Sequence, residues 1–235
     1  MVNASREAWK TYKNVFDNAA LLVLEKLKSQ HKLDDLDSPL SIGKEANIFT
    51  ATSHGKTVIA KIYRVANCNF NKMYDYIQTD PRYPKLPKVR RRIVFAWAQR
   101  EYHNLLRAAE VIRVPKPLAH RNNIILMEFI GTKNPAPKVK DAFPKDPAAF
   151  FEKVVVSTRR LFQAGLIHGD LSEFNILNYR EAPVFIDMSQ GTRIDNPNAR
   201  ELLERDVKNI CRFFGKFIKT DPATVLNRIV SKSQK

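Results

Sequence analysis

The feature that most constrains the fold of this chain is a polar turn enclosed by apolar residues, with the sequence Leu166-Ile167-His168-Gly169-Asp170-Leu171-Ser172-Glu173-Phe174-Asn175-Ile176. The turn follows a predicted helix and precedes a predicted hairpin whose second strand ends at Ile186-Asp187. The fold is therefore expected to bring together three oxygen-bearing side chains, those of Asp170, Asn175 and Asp187.

These residue types, in this order, are those that transfer of a phosphoryl group from ATP requires. One carboxylate, here Asp170, orients the attacking oxygen and accepts its proton, while Asn175 and Asp187 hold Mg²⁺ against the phosphates. The ordinary alternative is a polar loop in which Asp170 caps a helix and Asn175 fills a turn. His168 is predicted to pack and to form hydrogen bonds rather than to act as the base.

A predicted strand, Thr57–Tyr63, carries Lys61 among apolar residues. A lysine on a buried strand needs an anionic partner, and the α- and β-phosphates of ATP are one candidate. Glu101, on a predicted helix, is the candidate carboxylate that holds the ammonium in place; a surface glutamate paired with a nearby arginine is its alternative interpretation. Two weaker candidates for the same role are Glu45 and Glu110.

Two further segments are predicted to contact a nucleotide. The segment Ser41-Ile42-Gly43-Lys44-Glu45-Ala46 lies where a phosphate loop is expected but has one glycine, so the Ser41 hydroxyl and the Lys44 ammonium would supplement the backbone N–H groups. The segment Met127-Glu128-Phe129-Ile130 ends a predicted strand. Here the carbonyl of Glu128 and the N–H of Ile130 are expected to bind a purine, with Met127 lining the pocket.

The chain is strongly basic, with 40 Lys and Arg against 24 Asp and Glu and a formal net charge of +16. Such an excess favours an anionic partner, and nucleic acid is the commonest one. The densest basic run, Lys85 to Arg92, begins a predicted helix, where cations oppose the helix dipole. We therefore interpret it as an RNA or phosphate contact, with a solvated helix end as the alternative.

The longest apolar run, Ile124 to Met127, is too short to cross a bilayer, and no signal-peptide stretch follows the first charged residues. We therefore expect a cytoplasmic protein without a membrane partner. Cys68 and Cys211 form no metal-ligand pattern and are expected to be reduced thiols.

Apolar spacing at Phe16, Ala20, Val23 and Leu27 predicts an N-terminal helix. Strands around a His54-Gly55 turn follow, and a proline-rich stretch precedes a mainly helical second half.

The segment from Val114 to Pro117 is predicted to end the helix that carries Glu101. In the second half, Asp146 is predicted to cap a helix that ends at Gly165. The last predicted helix has one apolar stripe, formed by Leu203, Val207, Ile210 and Phe214. The chain is thus predicted to be α+β in three parts: a helical extension over 1–37, an antiparallel-sheet lobe over 38–130 and a mainly helical lobe over 131–235.

Three motifs together resemble the RIO family of atypical protein kinases, and its type-1 subfamily in particular. They are the segment from Ser41 to Ala46, the segment from Ile167 to Leu177, and Ile186-Asp187-Met188-Ser189-Gln190. The resemblance runs from about Val15 to Phe217, and the short chain looks archaeal. In one departure from the family pattern, Ile42 replaces the usual threonine of the phosphate loop.

The resemblance implies a two-lobed, trimmed protein-kinase fold that lacks the usual activation segment and peptide-binding subdomains. It implies binding of ATP with Mg²⁺, or with Mn²⁺ as an alternative ion, and Asp170 as catalytic base. The residues implied to bind the nucleotide and the ion are Lys61, Glu128, Ile130, Asn175 and Asp187. It also implies that Asp187 accepts phosphate transiently as an acyl phosphate.

The partners implied by the resemblance are the maturing small ribosomal subunit and its rRNA, and a protein serine, including one of the chain itself, as phosphate acceptor. Two other functions stay open at this point. One is a small-molecule phosphotransferase like the aminoglycoside and choline kinases. The other is a non-catalytic RNA-binding module that retains a nucleotide pocket.

Overall fold

The structure is a computed structural model that describes residues 18–66 and 68–231. Within these residues the chain forms two units. The first comprises the described residues of Met1–Gln78 together with Arg82–Tyr102 and Pro117–Phe129. The second comprises Thr79–Pro81, His103–Lys116 and the described residues of Ile130–Lys235.

The first unit is built on an antiparallel five-stranded sheet in the order β1-β2-β3-β5-β4. Its strands are β1 (Asp35–Ile42), β2 (Ala46–Ser53), β3 (Lys56–Tyr63), β4 (Pro117–Arg121) and β5 (Ile124–Glu128). Side chains of β2 alternate between buried and half-buried positions, which is the period of a strand with one face on a core. The predicted turn between β2 and β3 is present, with φ values of +50° at His54 and +70° at Gly55.

Helix α1 (Asn18–Ser29) packs its apolar stripe on this sheet. Three of the predicted core positions, Ala20, Val23 and Leu27, are buried, whereas Phe16 lies outside the described residues. The strand β1 begins at Asp35, inside the segment that was predicted to end the helical extension. Leu33 and Leu36 join the same core, so the residues after α1 are part of the sheet unit.

Two more helices begin in the first unit. Helix α2 (Phe70–Ile77) is capped by Asn69, whose side chain accepts a hydrogen bond from the backbone N–H of Lys72. Helix α3 (Arg90–Ala109) is the predicted long helix that carries Glu101.

The second unit is mainly helical, with two short antiparallel pairs of strands. Its elements are α4 (Pro147–Gln163), β6 (Leu166–Ile167), β7 (Ile176–Tyr179), β8 (Ala182–Phe185), β9 (Thr192–Arg193), α5 (Ala199–Phe214) and α6 (Pro222–Val230). As predicted, Asp146 caps α4 by accepting from the Ala149 N–H at 2.9 Å, and Gly165 lies past its end with φ of +76°.

Aromatic rings fill the core where α4 meets α5: the Phe214 ring centroid lies 6.1 Å from that of Phe150 and 5.3 Å from that of Phe151. In the described parts of the chain, no helix combines the length and apolarity that crossing a membrane requires.

Two of the leucines of α1 allow a matched test of its packing. Leu24 is fully buried in the sheet core, whereas Leu22 is 72% exposed on the same helix. Leu24→Ala should lower the free energy of unfolding by about 3 kcal/mol because it leaves a cavity, and Leu22→Ala should change it by less than about 0.5 kcal/mol. Urea unfolding followed by circular dichroism measures both values, and equal effects would contradict the packing of α1 on the sheet.

Candidate active site

In the first unit, a buried ion pair joins Lys61 of β3 to Glu101 of α3. The Lys61 Nζ lies 2.7 Å from Glu101 Oε1, and the two side chains are 7% and 1% exposed. The second carboxylate oxygen, Oε2, accepts a hydrogen bond from the Tyr63 hydroxyl at 2.5 Å. Strand alternation places Lys61 and Tyr63 on one face of β3, so both reach the same carboxylate. This pairing fixes the direction of the ammonium.

The predicted phosphate-loop residues lie at the end of β1 and on the turn that joins it to β2. The N–H of Gly43 donates to the Ala46 carbonyl at 3.1 Å, and a Cβ at Gly43 would lie 2.8 Å from the same oxygen. Ser41 near the end of β1 and Lys44 on the turn are both exposed, and Ile42 is 56% exposed. A side-chain hydroxyl and an ammonium are therefore available to a ligand here.

The predicted purine-binding residues divide between the two units. Met127 is buried on β5, and Glu128 ends that strand half-buried. Ile130 is the first residue of a segment of the second unit, in which its carbonyl accepts from the Ala136 N–H at 2.8 Å.

In the second unit, the loop between β6 and β7 brings Asp170 and Asn175 together. The Asn175 amide nitrogen donates to the Asp170 main-chain carbonyl at 2.8 Å and to its carboxylate Oδ2 at 3.1 Å. Since both contacts use the amide nitrogen, the amide oxygen of Asn175 is left for a cation. Both residues are only partly buried, so the pair is accessible to a substrate.

A carboxylate of α5 holds the main chain of this loop. Asp206 accepts hydrogen bonds from the N–H of Gly169 at 2.7 Å, on Oδ2, and from the N–H of Leu171 at 2.8 Å, on Oδ1. Neighbours on the same helix add two more bonds: Arg205 donates to the Gly169 carbonyl, and Asn209 donates to the Leu171 carbonyl at 3.3 Å. The backbone on both sides of Asp170 is thus fixed from one helix.

Burial raises the pKa of Asp206 to about 7, although the two N–H donors and the charge of Arg205 act in the opposite direction. Asp206 is fully buried, so desolvation of its charged form is the largest effect. Gly169 adopts φ of +77°, and a Cβ there would lie 2.7 Å from the Gln190 carbonyl oxygen. The loop therefore requires glycine at this position.

Asp187 lies shortly after β8 and precedes a 3₁₀ turn, Met188–Gln190. The φ of Asp187 itself is +61°. This left-handed conformation is uncommon for a residue with a side chain. The turn is held from α3, where the Asn104 amide donates to the carbonyls of Met188 at 2.9 Å and Gly191 at 2.7 Å.

The preceding residue, Ile186, connects Asp187 to the loop. The Ile186 N–H donates to the Asn175 carbonyl at 3.0 Å. Its carbonyl lies 3.0 Å from His168 Nε2, while His168 Nδ1 accepts from the Asp170 N–H at 3.3 Å. An N–H donated to Nδ1 is compatible with the tautomer in which Nε2 carries the proton and donates to Ile186, and the ring is buried. It has the packing and hydrogen-bonding role that was predicted for it.

The side chains of Asn175 and Asp187 suit a magnesium ion that also binds phosphates. Among the described residues, no group of three or more His, Cys, Asp or Glu side chains is arranged to hold a metal. Mg²⁺ commonly takes only one or two protein oxygen ligands and completes its shell with phosphate oxygens and water. An Asn175 amide oxygen and an Asp187 carboxylate fit that pattern.

The basic run at the start of α3 is exposed, and several of its cations lie over aromatic rings. The guanidinium of Arg90 lies 4.5 Å from the Phe70 ring centroid, and that of Arg91 lies 5.2 Å from the Phe95 ring. Arg90 also donates to the Ala66 carbonyl. These contacts orient the first cations of α3 and stabilise them through the ring quadrupoles.

Two residues that hold the site were missed in the sequence: Asp206 and Asn104. Neither belongs to a motif, and both bond to main-chain groups far away along the chain. A single signal was available for Asp206, since it is an acid on the buried stripe of a predicted helix with Leu203, Val207 and Ile210.

The ion pair can be tested by neutralising its acid. Glu101→Gln keeps the shape but removes the negative charge that faces the buried Lys61 ammonium, which should reduce the free energy of unfolding by about 3 kcal/mol. The matched control is Glu204→Gln, because Glu204 forms a partly exposed i,i+4 pair with Arg200 and should contribute less than about 0.5 kcal/mol. Urea unfolding measures both, and equal losses would argue against a buried pair.

The raised pKa of Asp206 predicts a pH dependence. Between the unfolded value near 4 and the folded value near 7, only the folded chain keeps the proton, so stability falls as pH rises. The free energy of unfolding of the unaltered chain, minus that of Asp206→Asn, should therefore fall as pH rises from 4 to 7 and then level off. The decrease is at most about 1.4 kcal/mol per pH unit.

The control for this measurement is Asp221→Asn. The pKa of Asp221 is lowered because its carboxylate accepts from the Thr224 hydroxyl and N–H, so its contribution is lost only as pH falls below about 4. Unfolding curves are recorded at pH 5, 6, 7 and 8, and each variant's free energy of unfolding is compared with that of the unaltered chain. The difference should not change with pH for Asp221→Asn and should change with pH for Asp206→Asn. A difference that grows with pH for Asp206→Asn would contradict the burial argument.

Comparison with known proteins places these features in a family. A family model described as RIO domain matches residues 47–225. The RIO-type serine/threonine-protein kinase Rio1 of Methanocaldococcus jannaschii is 42% identical over 210 residues, which cover 88% of this chain and 72% of that protein. The protein of the same name from Haloferax volcanii is 37% identical over 211 residues, covering 88% of this chain and 73% of that protein.

Among solved structures, the chain is similar to the Rio2 kinase ADP/Mg²⁺-phosphoaspartate complex from Chaetomium thermophilum. The TM-score is 0.69 at 24% identity, with 92% of this chain and 68% of that chain covered. This likeness confirms the predicted fold class, the two-lobed RIO kinase fold. Because the family model spans most of the chain and archaeal Rio1 proteins align with nearly all of it, this chain belongs to the RIO family of atypical serine/threonine protein kinases, in its Rio1 branch.

Proposed function

We propose that this chain is an ATP- and Mg²⁺-dependent serine/threonine kinase and ATPase that acts in maturation of the small ribosomal subunit. The observation that carries the proposal is the Asp170–Asn175 pair, in which the amide nitrogen orients the carboxylate and the amide oxygen is left for a cation. A carboxylate beside a cation ligand is the arrangement with which kinases activate a hydroxyl near a metal-bound triphosphate.

In the proposed reaction, Asp170 is the proton acceptor. Its carboxylate would take the proton of a serine hydroxyl or of water as the new oxygen–phosphorus bond forms. Family membership supports this role, and the main chain on either side of Asp170, held by Asp206, keeps the carboxylate in position.

Asp187 has a second proposed role besides holding Mg²⁺. A carboxylate oxygen of Asp187 bonds to the γ-phosphorus while the bond from that phosphorus to the bridging oxygen breaks, and ADP leaves with the electron pair. Water then attacks the phosphorus, Asp170 accepts its proton, and the carboxylate is released with inorganic phosphate. The similar Rio2 structure, described as a phosphoaspartate complex with ADP and Mg²⁺, supports this course.

Most of the proposed nucleotide contacts come from the first unit. Lys61, fixed by Glu101, would contact the α- and β-phosphates. The exposed Ser41, near the end of β1, and Lys44, on the turn after it, would add a hydroxyl and an ammonium. The Glu128 carbonyl and the Ile130 N–H would bind the purine, with Met127 lining the pocket. Asn175 and Asp187 would hold Mg²⁺, with Mn²⁺ as the alternative ion.

The proposed partners are the pre-small-ribosomal-subunit particle with its rRNA, and a protein serine as phosphate acceptor, including a serine of this chain. The net charge of +16 and the exposed arginines that begin α3 support an RNA partner. The names of the relatives support a protein substrate, since they are called serine/threonine-protein kinases. A cytoplasmic location stays a prediction.

Family membership does not favour the small-molecule phosphotransferase that the sequence left open. The non-catalytic RNA-binding alternative differs from the proposal in one measurable property, which is whether ATP turnover depends on Asp170.

The proposal predicts that the rate of ATP turnover falls strongly in two variants, for a different reason in each. Asp170→Ala should lower the turnover rate by about 10²- to 10⁴-fold because the proton acceptor is lost, while heat of Mg-ATP binding persists in calorimetry. Asp187→Asn should lower turnover and also abolish hydroxylamine-sensitive phosphate incorporated from γ-labelled ATP.

Asp195→Asn is the matched control, because Asp195 is exposed and forms a surface ion pair with Arg193, two residues before it. It should leave turnover within about twofold of the unaltered chain, as expected for a surface substitution. Unchanged turnover in both Asp170→Ala and Asp187→Asn would overturn the proposed chemistry.

A further inference from the structure

A groove of about 550 Å³ lies on the surface of the second unit, where the end of α5 meets the start of α6. Three exposed cations line it along α5 and just past its end: Lys208, Arg212 and Lys216. Lys208 and Arg212 are four residues apart on α5, so they lie on one side of the helix, about 6 Å apart along its axis. Lys216 follows in the turn after the helix, and all three line the same groove. They therefore form a row of positive charge.

The other residues that line the groove are uncharged. In the described part of the chain they are Asn209, Cys211, Gly215, Thr220 and Pro222. The nearby carboxylate of Asp221 acts electrostatically on Cys211. Burial raises the pKa of the Cys211 thiol to about 11, so this side chain stays neutral. An anionic ligand in the groove would contact cations and neutral side chains, and the three cations outnumber the one nearby carboxylate.

An aromatic cluster continues from the basic row. Phe143 is 53% exposed and Phe217 is 45% exposed, and their ring centroids lie 5.0 Å apart. Both rings contact Phe213, at 5.8 and 6.2 Å, and the Lys216 Nζ lies 5.7 Å from the Phe213 ring centroid. The exposed rings and the cations thus form one continuous surface.

Ordinary structural roles explain only part of this surface. Arg212 and Lys216 lie at the C-terminal end of α5, where cations interact favourably with the helix dipole. That effect falls off within the last turn, so it does not apply to Lys208. It also gives no reason for two large aromatic side chains to stay half in water beside the cations.

We propose that this surface binds a single-stranded segment of RNA, with phosphates along the row of Lys208, Arg212 and Lys216 and a base against Phe143 and Phe217. Exposed aromatic faces beside a positively charged groove are the two elements that single-strand binding requires. A second copy of this chain, itself at +16, would be repelled by the row. The choice of RNA over DNA rests on the proposed ribosomal function, but the site does not depend on ATP chemistry.

The test uses the full chain and a fluorescein-labelled, unstructured 12-nucleotide RNA, with binding followed by anisotropy at several salt concentrations. Neutralising the row in Lys208→Gln/Arg212→Gln/Lys216→Gln should weaken binding at least tenfold. It should also reduce the slope of log affinity against log salt by about 2, since each phosphate contact on a single strand contributes about 0.7.

The matched control is Lys26→Gln/Lys32→Gln/Lys56→Gln, which removes the same charge at exposed positions of the first unit. It should weaken binding less than threefold with little change in slope. Equal losses in the two triple variants would overturn the proposal, because net charge alone would then explain the binding.

The aromatic contribution is tested separately with Phe143→Leu/Phe217→Leu, which keeps apolar bulk but removes the ring faces. Single-strand binding should weaken at least fivefold with an unchanged salt slope, whereas binding of the matching RNA duplex should not change, because stacking needs splayed bases. Unchanged single-strand binding would overturn the stacking role. Tight binding to vesicles containing phosphatidylserine without binding to RNA would instead identify a membrane surface and overturn the RNA site.

ATP turnover without RNA, measured on the same proteins, separates this proposal from the catalytic one. The triple variant at the row should turn over ATP at the rate of the unaltered chain. If the unaltered chain failed to turn over ATP but showed the predicted pattern of RNA binding, the catalytic proposal would fail and the RNA site would stand.

Discussion

The loop that carries Asp170 depends on one buried carboxylate. The loop is not part of a helix or a sheet ladder at Gly169 and Leu171, so their N–H groups need another acceptor, and Asp206 supplies one oxygen to each. An apolar residue at this position would leave two donors unsatisfied, at a cost of about 1–3 kcal/mol each. The position from which Asp206 reaches both N–H groups is buried, and this burial raises the pKa of its carboxyl group.

The buried pair of Lys61 and Glu101 follows the same principle in the other unit. Apolar side chains of similar volume often replace a buried ion pair without loss of stability, so stability alone is a weak reason for keeping one. What the pair provides is direction, because the carboxylate holds the ammonium on one side while Tyr63 holds the carboxylate. Each unit thus uses a buried acid to hold one group in place: Glu101 holds the Lys61 ammonium, and Asp206 holds the main chain on both sides of Asp170.

Features formed by residues close together in the sequence were easier to predict than contacts between distant residues. The pair of Asp170 and Asn175, the cap at Asp146 and the stripe of α1 are local in sequence, and the structure contains all three. The partner of Lys61 is distant along the chain, yet it was predicted because a buried charge demands an opposite one. Asp206 was missed because its partners are main-chain N–H groups, which every residue type presents equally.

Short elements were missed for a related reason. The strands β6 and β9 have two residues each, too few for an alternating pattern, and β4 begins at a proline that the sequence alone assigned to the end of a helix. The basic run at the start of α3 and the basic row beside the groove show a further limit of sequence analysis. Both are simply clusters of Lys and Arg in the sequence, so composition does not distinguish them. At the start of α3 the cations already lie over the rings of Phe70 and Phe95. Beside the groove, two rings remain exposed next to the cations, and only the three-dimensional placement of Phe143 reveals that difference.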